Sequence, residues 1–242
     1  MDVLKYLITG TGRCGTVFCA KLLTSLNVPC GHESIFDWQG IDGALKRLNH
    51  EEPKVLSEIS QYNCKSPNWI NPDAIIAESS YMAAPYLDHE MFKETQIVHI
   101  VRHPVDVVNS FCNYLDYFKD PDSPKEKWEN FIYTQLPELK NESLTVYDRG
   151  CLYYIKWNQM IENKLFNRGY CFHRIEDDIL NVLDFLEIKP TENMFQDKTA
   201  NTLKRPSKQF EIPLIQNPNI KKDFIKIGKK YGYKMLSKNL LV

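Results

Sequence analysis

The chain has 242 residues, 43% of them hydrophobic, with 30 Lys and Arg balanced against 31 Asp and Glu. That length carries one full α/β core. The formal charge of −1 excludes a strongly basic nucleic-acid surface and any special attraction to anionic membranes. Seven scattered cysteines without a CxxC pair argue against a disulfide framework or a zinc site and for a reducing compartment. There is no run of about 18 apolar residues, and no basic, apolar leader precedes the first strand. A single domain over 1–242 is therefore expected, soluble and cytoplasmic, with no membrane span.

Val3–Thr9 is predicted as a strand buried on both faces. Gly10, Gly12 and Gly15 then form a tight turn into a helix over Thr16–Leu26, whose Phe18, Leu22, Leu23 and Leu26 fall on one stripe. Glycines let the backbone come close to a bound group, and the helix that follows aims its free N–H groups at the turn. An anion, most naturally a phosphate, belongs there. The spacing Gly10-Thr-Gly-Arg-Cys-Gly15-Thr16 opens like a Walker A loop. Where a nucleotide triphosphatase has Lys and then Ser or Thr, this chain has Thr16-Val17, and its cation is Arg13. Metal-assisted ATP hydrolysis is not expected. Cys14, beside Arg13 at a helix N-terminus, stands where a thiol is activated. Without a Cys-x₅-Arg pattern it reads as a Ser-sized loop residue.

Asn27–Gly31 ends the first helix and turns the chain back, which should return His32 and Glu33 toward the anion loop. An ordinary loop histidine remains an open reading for His32. A short helix is expected over Gly40–Leu48, a second buried strand over Asp73–Ser79, and a short helix with loops over Tyr81–Phe92. Gln96–Val101 is mostly β-branched and apolar (QIVHIV) and is the strongest strand signal. It runs into Arg102-His103-Pro104, with Pro104 suited to the first turn of a helix over Val105–Phe118. Helices over Lys125–Leu136 and Thr145–Phe166 follow, then a strand over Gly169–Ile175 and a helix over Asp177–Leu186. Lys198–Phe210 reads as a polar loop, and Ile220–Tyr231 as a closing lysine-rich helix. Alternating strands and helices predict an α/β fold, a three-layer, doubly wound, mostly parallel sheet with a P-loop-like turn. Ligands of such sheets bind beyond the carboxyl ends of the strands, where Gly10–Gly15, Glu78 and Arg102 fall.

Arg102-His-Pro-Val-Asp-Val-Val-Asn-Ser110, a strand-end Arg followed eight residues later by a helical Ser, resembles the 3′-phosphate motif of sulfotransferases. Gly12-Arg13-Cys14-Gly15-Thr16 is similar to their 5′-phosphosulfate loop. The likeness continues at Trp157-Asn158 and at Arg174-Ile-Glu-Asp177. It implies 3′-phosphoadenosine 5′-phosphosulfate (PAPS) as sulfonyl donor, a hydroxyl of a carbohydrate or small molecule as acceptor, and no metal. Gly12, Arg13, Cys14, Gly15, Thr16 and Val17 would then hold the 5′ end of the donor. Arg102 and Ser110 would hold its 3′-phosphate, with Lys204 or Arg205 closing from the late loop. Arg13 would stabilise the leaving oxygen. The base would be Glu33 first, His32 second and Glu78 third, any of which could instead bind acceptor hydroxyls.

Two departures stand out. Cys14 occupies the family's usual Ser, and Val17 a usual Thr, so two hydroxyls are missing. A P-loop-type small-molecule kinase and a catalytically inactive nucleotide-binding relative remain the alternatives. Acceptor pockets are expected from 34–72 and 117–145, with Phe36, Trp38, Trp69, Tyr114, Tyr117 and Phe118 either stacking on a sugar or packed in the core. The acceptor itself and the oligomeric state are not legible.

Overall fold

The structure is a computed structural model that describes residues 4–55, 72–192, 194 and 211–235. Five strands form one sheet: β1 (Tyr6–Gly10), β2 (Cys30–His32), β3 (Ala77–Ser79), β4 (Gln96–Val101) and β5 (Cys171–Arg174). Their order is β2-β3-β1-β4-β5, and every pair is parallel. All five carboxyl ends therefore lie along one edge of the sheet. The chain leaves β1 toward β2 and β3 and then crosses to β4 on the other side, so the reversal of direction lies beside β1. The α/β reading with a parallel sheet and a P-loop-like turn is what the structure has.

Seven helices are described: α1 (Thr16–Ser25), α2 (Gly40–Leu48), α3 (Pro104–Asn109), α4 (Lys127–Gln135), α5 (Val146–Leu165), α6 (Leu180–Phe185) and α7 (Pro218–Lys230). The described residues fall into two compact units, one of 4–101 with the residues from 160 to 194, the other of 102–159 with 211–235. In the first, Tyr6, Ile8, Ala77, Val98 and Ile100 share a sheet face with Phe18, Leu22 and Leu23 of α1 and Val182 and Leu183 of α6. The alternate residues Leu7, Glu78, Ile97 and His99 are also buried. Both faces of the central strands are thus covered, which explains why β1 and β4 read as continuous apolar runs.

In the second unit Phe111, Phe118, Tyr153 and Trp157 form an aromatic cluster with centroid spacings of 4.8–5.7 Å. Tyr154 packs edge-on against Phe224 of α7. Asp148 Oδ1 accepts the amides of Gln216 and Asn217, both at 3.0 Å, which fixes the approach to α7.

Three expectations are corrected. A strand, β2, occupies Cys30–His32, where a turn was expected. The strand expected over Asp73–Ser79 is a 3₁₀ turn at Pro72–Ala74 followed by the three residues of β3. The short helix with loops expected over Tyr81–Phe92 is present as 3₁₀ helices at Tyr81–Tyr86 and Glu90–Phe92. The helix expected over Val105–Phe118 is α3 followed by a π-helical turn, Ser110–Tyr114. Beyond it Asp116 and Phe118 adopt left-handed backbone at φ 63° and 69°. The Phe118 amide donates to Glu129 Oε1 at 2.6 Å, and its carbonyl accepts from Arg149 Nη1 at 3.2 Å. These bonds hold the chain in a turn that its side chain alone would resist.

Candidate functional site

The site is built at the carboxyl ends of β1 and β2. After Gly10 the chain must pass so close to β4 that a Cβ at Gly10 would collide with the Ile100 carbonyl oxygen. Arg13 is left-handed, φ 67°, a conformation that costs a non-glycine residue about 1–2 kcal/mol. Gly15 follows at φ 114° with Ile175 packed where its Cβ would be, so Ile175 of the Arg174–Asp177 turn forms one wall of the loop. Arg174 itself makes a two-point pair with Asp177, at 2.8 and 2.6 Å. α1 begins at once. Its N-terminus has no side-chain cap and no acidic residue in the first turn, which suits an anion held by backbone N–H groups.

Of the loop residues singled out in the sequence, Thr16 opens α1, and its main-chain oxygen accepts from Ser79 Oγ at 2.8 Å. Its hydroxyl shares a 3.1 Å hydrogen bond with His32 Nε2. Cys14 turns its thiol inward, into the core beneath the sheet edge and against Gly10, so it is not placed as a nucleophile. Val17 is likewise buried. What these two residues offer a ligand is main chain.

Arg13, His32 and Glu33 come together. Glu33 Oε1 lies 4.0 Å from His32 Nε2. Burial, with the Arg13 charge added, lowers the His32 pKa to about 4, so this imidazole is neutral at physiological pH. Burial and the nearby Glu78 charge raise Glu33 to about 8 against the opposing pull of Arg13, with Asp37 adding to the rise. Glu33 is left-handed at φ 54° and its side chain keeps 19% of its surface exposed, enough to meet a substrate. A carboxyl held near 8 beside a guanidinium is a base poised for proton transfer close to neutrality.

Sequence reasoning missed Arg47 and the way Glu78 is attached. Arg47 of α2 is buried and donates from Nη1 to the Ile35 carbonyl at 2.7 Å and from Nη2 to Asp37 Oδ2 at 2.8 Å. Glu78 Oε1 accepts the amides of Ser34, Ile35 and Phe36 at 2.8, 3.1 and 3.4 Å. Together they fix the backbone from Ser34 to Asp37, immediately after Glu33. Glu78 is fully buried and spends one oxygen on this clamp, which fits an anchor better than a base.

Arg102 and Ser110 belong to the other unit. Arg102 Nε is 3.9 Å from Asp106 Oδ2 and its side chain is 37% exposed. Its carbonyl accepts from Tyr154 Oη at 3.0 Å. His103 Nδ1 accepts the Val105 amide at 3.3 Å and so caps α3, with Pro104 in the first turn. Ser110 is buried at the start of the π-helical turn. Lys204, Arg205 and Trp69 lie outside the described residues. Among the aromatics, Phe36, Tyr117 and Phe118 are core, Phe36 stacking on Tyr86 and Phe92. Trp38 and Tyr114 are half-buried. Among the described residues no group of three His, Cys, Asp or Glu is placed to hold a metal, and no helix is long and apolar enough to cross a membrane.

No protein-family model matches the chain, and no curated protein matches it either. Among solved structures it is similar to a sulfotransferase domain from the curacin biosynthetic pathway, at 14% identity over 98% of this chain and 99% of that one, with a TM-score of 0.48. A likeness this distant carries no activity across to this chain.

Proposed function

We propose that this chain is a PAPS-dependent sulfotransferase acting on a hydroxyl of a carbohydrate or small-molecule acceptor. The observation that carries the reading is the meeting of Arg13, His32 and Glu33 at the uncapped start of α1, a cation and a base beside a place for an anion. The side chains fit such a donor: a guanidinium, a hydroxyl on Thr16 and the first-turn amides would hold its 5′ end. Arg102 and Ser110 are the candidates for its 3′-phosphate, and the donor would supply a sulfonyl group on a phosphate leaving oxygen.

Glu33 takes the proton of the acceptor hydroxyl as its oxygen attacks. Arg13 offsets the negative charge that gathers on the departing oxygen. His32, neutral, holds the Thr16 hydroxyl rather than accepting a proton in the reaction. The absence of Lys after Gly15 removes the group with which a kinase grips its terminal phosphates.

The test is calorimetry with adenosine 3′,5′-bisphosphate in the absence of Mg²⁺, followed by transfer of ³⁵S from labelled donor to an extract. Binding without metal and label on a small or carbohydrate acceptor are expected. No binding of the bisphosphate alongside binding of ATP–Mg²⁺ would overturn the reading. The inward-turned Cys14 and Val17 favour one competing reading, a nucleotide-binding relative without catalysis, which would bind the bisphosphate and transfer no label.

A further inference from the structure

The Glu78 carboxyl does more than the clamp requires. A glutamine at this position would accept the same three amides with its side-chain oxygen and would carry no charge into the interior. The carboxylate is the costly choice. Its second oxygen, Oε2, is buried without a hydrogen-bond partner, and in a folded protein such a group calls for an explanation. β2 makes room for it: Gly31 pairs in register with Glu78, and a Cβ at Gly31 would collide with Oε2. We propose that Glu78 is a positioning residue for Glu33, clamping the three amides that follow it and holding a second carboxyl charge beside it.

The charged and titrating groups that face Glu33 come from four places. Arg13 is in the loop after β1, His32 at the end of β2, Glu78 on β3, and Asp37 in the segment before α2. Arg13 lowers the proton affinity of Glu33, while Glu78 and Asp37 raise it. Asp37 is already paired with Arg47 at 2.8 Å, and of the two carboxyls Glu78 acts the more strongly on Glu33. Glu78 itself is raised to about 7, mainly by burial, against the three amides and the Arg47 charge that favour its charged form. The two glutamates therefore titrate as a coupled pair in the range where the site works, and loss of the Glu78 proton makes Glu33 hold its own more tightly.

The inference rests on the sulfotransferase reading for the role of Glu33, but its test does not need turnover. In protein labelled with ¹³C at the glutamate carboxyls, the Glu33 signal, assigned by its loss in Glu33→Gln, is followed against pH. In Glu78→Gln, which keeps the acceptor and removes the charge, its midpoint is expected to fall by about one pH unit. In Glu78→Asp, which keeps the charge and shortens the reach, the midpoint is expected to move by less than half of that. In the same Asp variant the amides of Ser34, Ile35 and Phe36 should lose the slow hydrogen exchange expected of them in the unmutated protein. Where turnover is measurable, the acid limb of kcat/KM should move with the Glu33 midpoint in the Gln variant. In the Asp variant kcat should fall about 10–100-fold with the limb moving no further than the Glu33 midpoint does in that variant. An unmoved Glu33 midpoint in Glu78→Gln, or freely exchanging amides at 34–36 in the unmutated protein, overturns the proposal whatever the enzyme's activity. If Glu78→Gln fails to fold, the exchange measurement on the unmutated protein decides. Failure of bisphosphate binding would sink the sulfotransferase reading and leave these two measurements standing.

Discussion

The two segments that the sequence singles out for anions differ in how they are held. At 10–16 and 32–37 the backbone is forced into left-handed turns at Arg13 and Glu33, is tied by buried hydrogen bonds, and carries in Glu33 a carboxyl whose proton affinity burial has raised. At 102–110 Arg102 makes a half-exposed 3.9 Å approach to Asp106, and no residue of α3 adopts left-handed backbone. Backbone strain and desolvated charge persist only where the surrounding structure over-determines them. On the proposed reading, the first segment carries the proton chemistry and the second a contact to the donor's 3′-phosphate.

The largest expected effect tests the first half of that contrast. Glu33→Gln keeps the shape and hydrogen-bonding capacity of the side chain and removes the base. A loss of about 10²–10⁴-fold in kcat is expected, with the affinity for adenosine 3′,5′-bisphosphate held within a few-fold. A variant that lost affinity and kept kcat would make Glu33 a binding group and return the choice of base to His32. Because Glu33 is raised to about 8, the unmutated enzyme should also gain rate as pH rises toward that value, where the active carboxylate form takes over.

The next effect falls on stability. Arg47→Met would leave Asp37 buried without its cation, and breaking one side of a buried pair costs about 3–5 kcal/mol. Urea unfolding at pH 7 would read this as a lower midpoint at an unchanged slope. A cost under about 1 kcal/mol would mean that the segment around Glu33 does not depend on this pair.

Arg102→Ala should do the reverse: little harm to the fold and a specific loss of ligand. A hydrogen bond to a charged group contributes roughly 1.5–3 kcal/mol, so affinity for adenosine 3′,5′-bisphosphate should drop about 10–100-fold. Affinity for adenosine 5′-monophosphate, which lacks the 3′-phosphate, should hardly change. An equal loss for both nucleotides would take the 3′-phosphate away from Arg102.

Much of this was legible because it is local. The glycine spacing at 10–15, the β-branched run of β4 and the amphipathic Gly40–Leu48 are read from neighbours in sequence, and the last two coincide with the observed elements. Glu33 and His32 were legible as the residues following a helix that must turn back. β2 was not, since three residues bounded by Pro29 and centred on Gly31 carry no periodicity. The break of the expected helix at Ser110–Tyr114 was hidden for another reason. No Gly or Pro marks it, and the groups that hold Phe118 in its left-handed turn, Glu129 and Arg149, lie 11 and 31 residues further on. Arg47 gave no signal because charge on a helix normally implies an exposed face. Phe36, Tyr117 and Phe118 show the same limit from the other side, since an aromatic residue looks alike in a core and in a sugar-binding wall. Glu78 was legible as a carboxyl at a strand end. Its attachment to the amides of Ser34, Ile35 and Phe36, more than forty residues away, was not.

The smallest effect separates the two segments by pH alone. Glu33 and Glu78 are raised to about 8 and about 7, above the ~4.3 of an unfolded glutamate. The stability that their protonated forms contribute is fully present below about pH 4 and is lost as pH rises through 7 to 8. His32, lowered to about 4, works in the opposite direction: its contribution is present above about pH 6.5 and is lost as pH falls toward 4. Glu33→Gln removes one of the two alkaline penalties. Its melting temperature, compared with that of the unmutated protein, should therefore rise from pH 5 to about pH 8 and level off above it, at ~2–4 °C for each kcal/mol in a chain of this size. Asp106→Ala takes away a surface pair worth about 0–1 kcal/mol and should move the melting temperature by no more than a few degrees. A Glu33→Gln difference that stayed constant from pH 5 to pH 9 would mean that Glu33 is solvated like any surface carboxyl. The contrast between a strained, desolvated segment and a half-exposed one would then lose its basis.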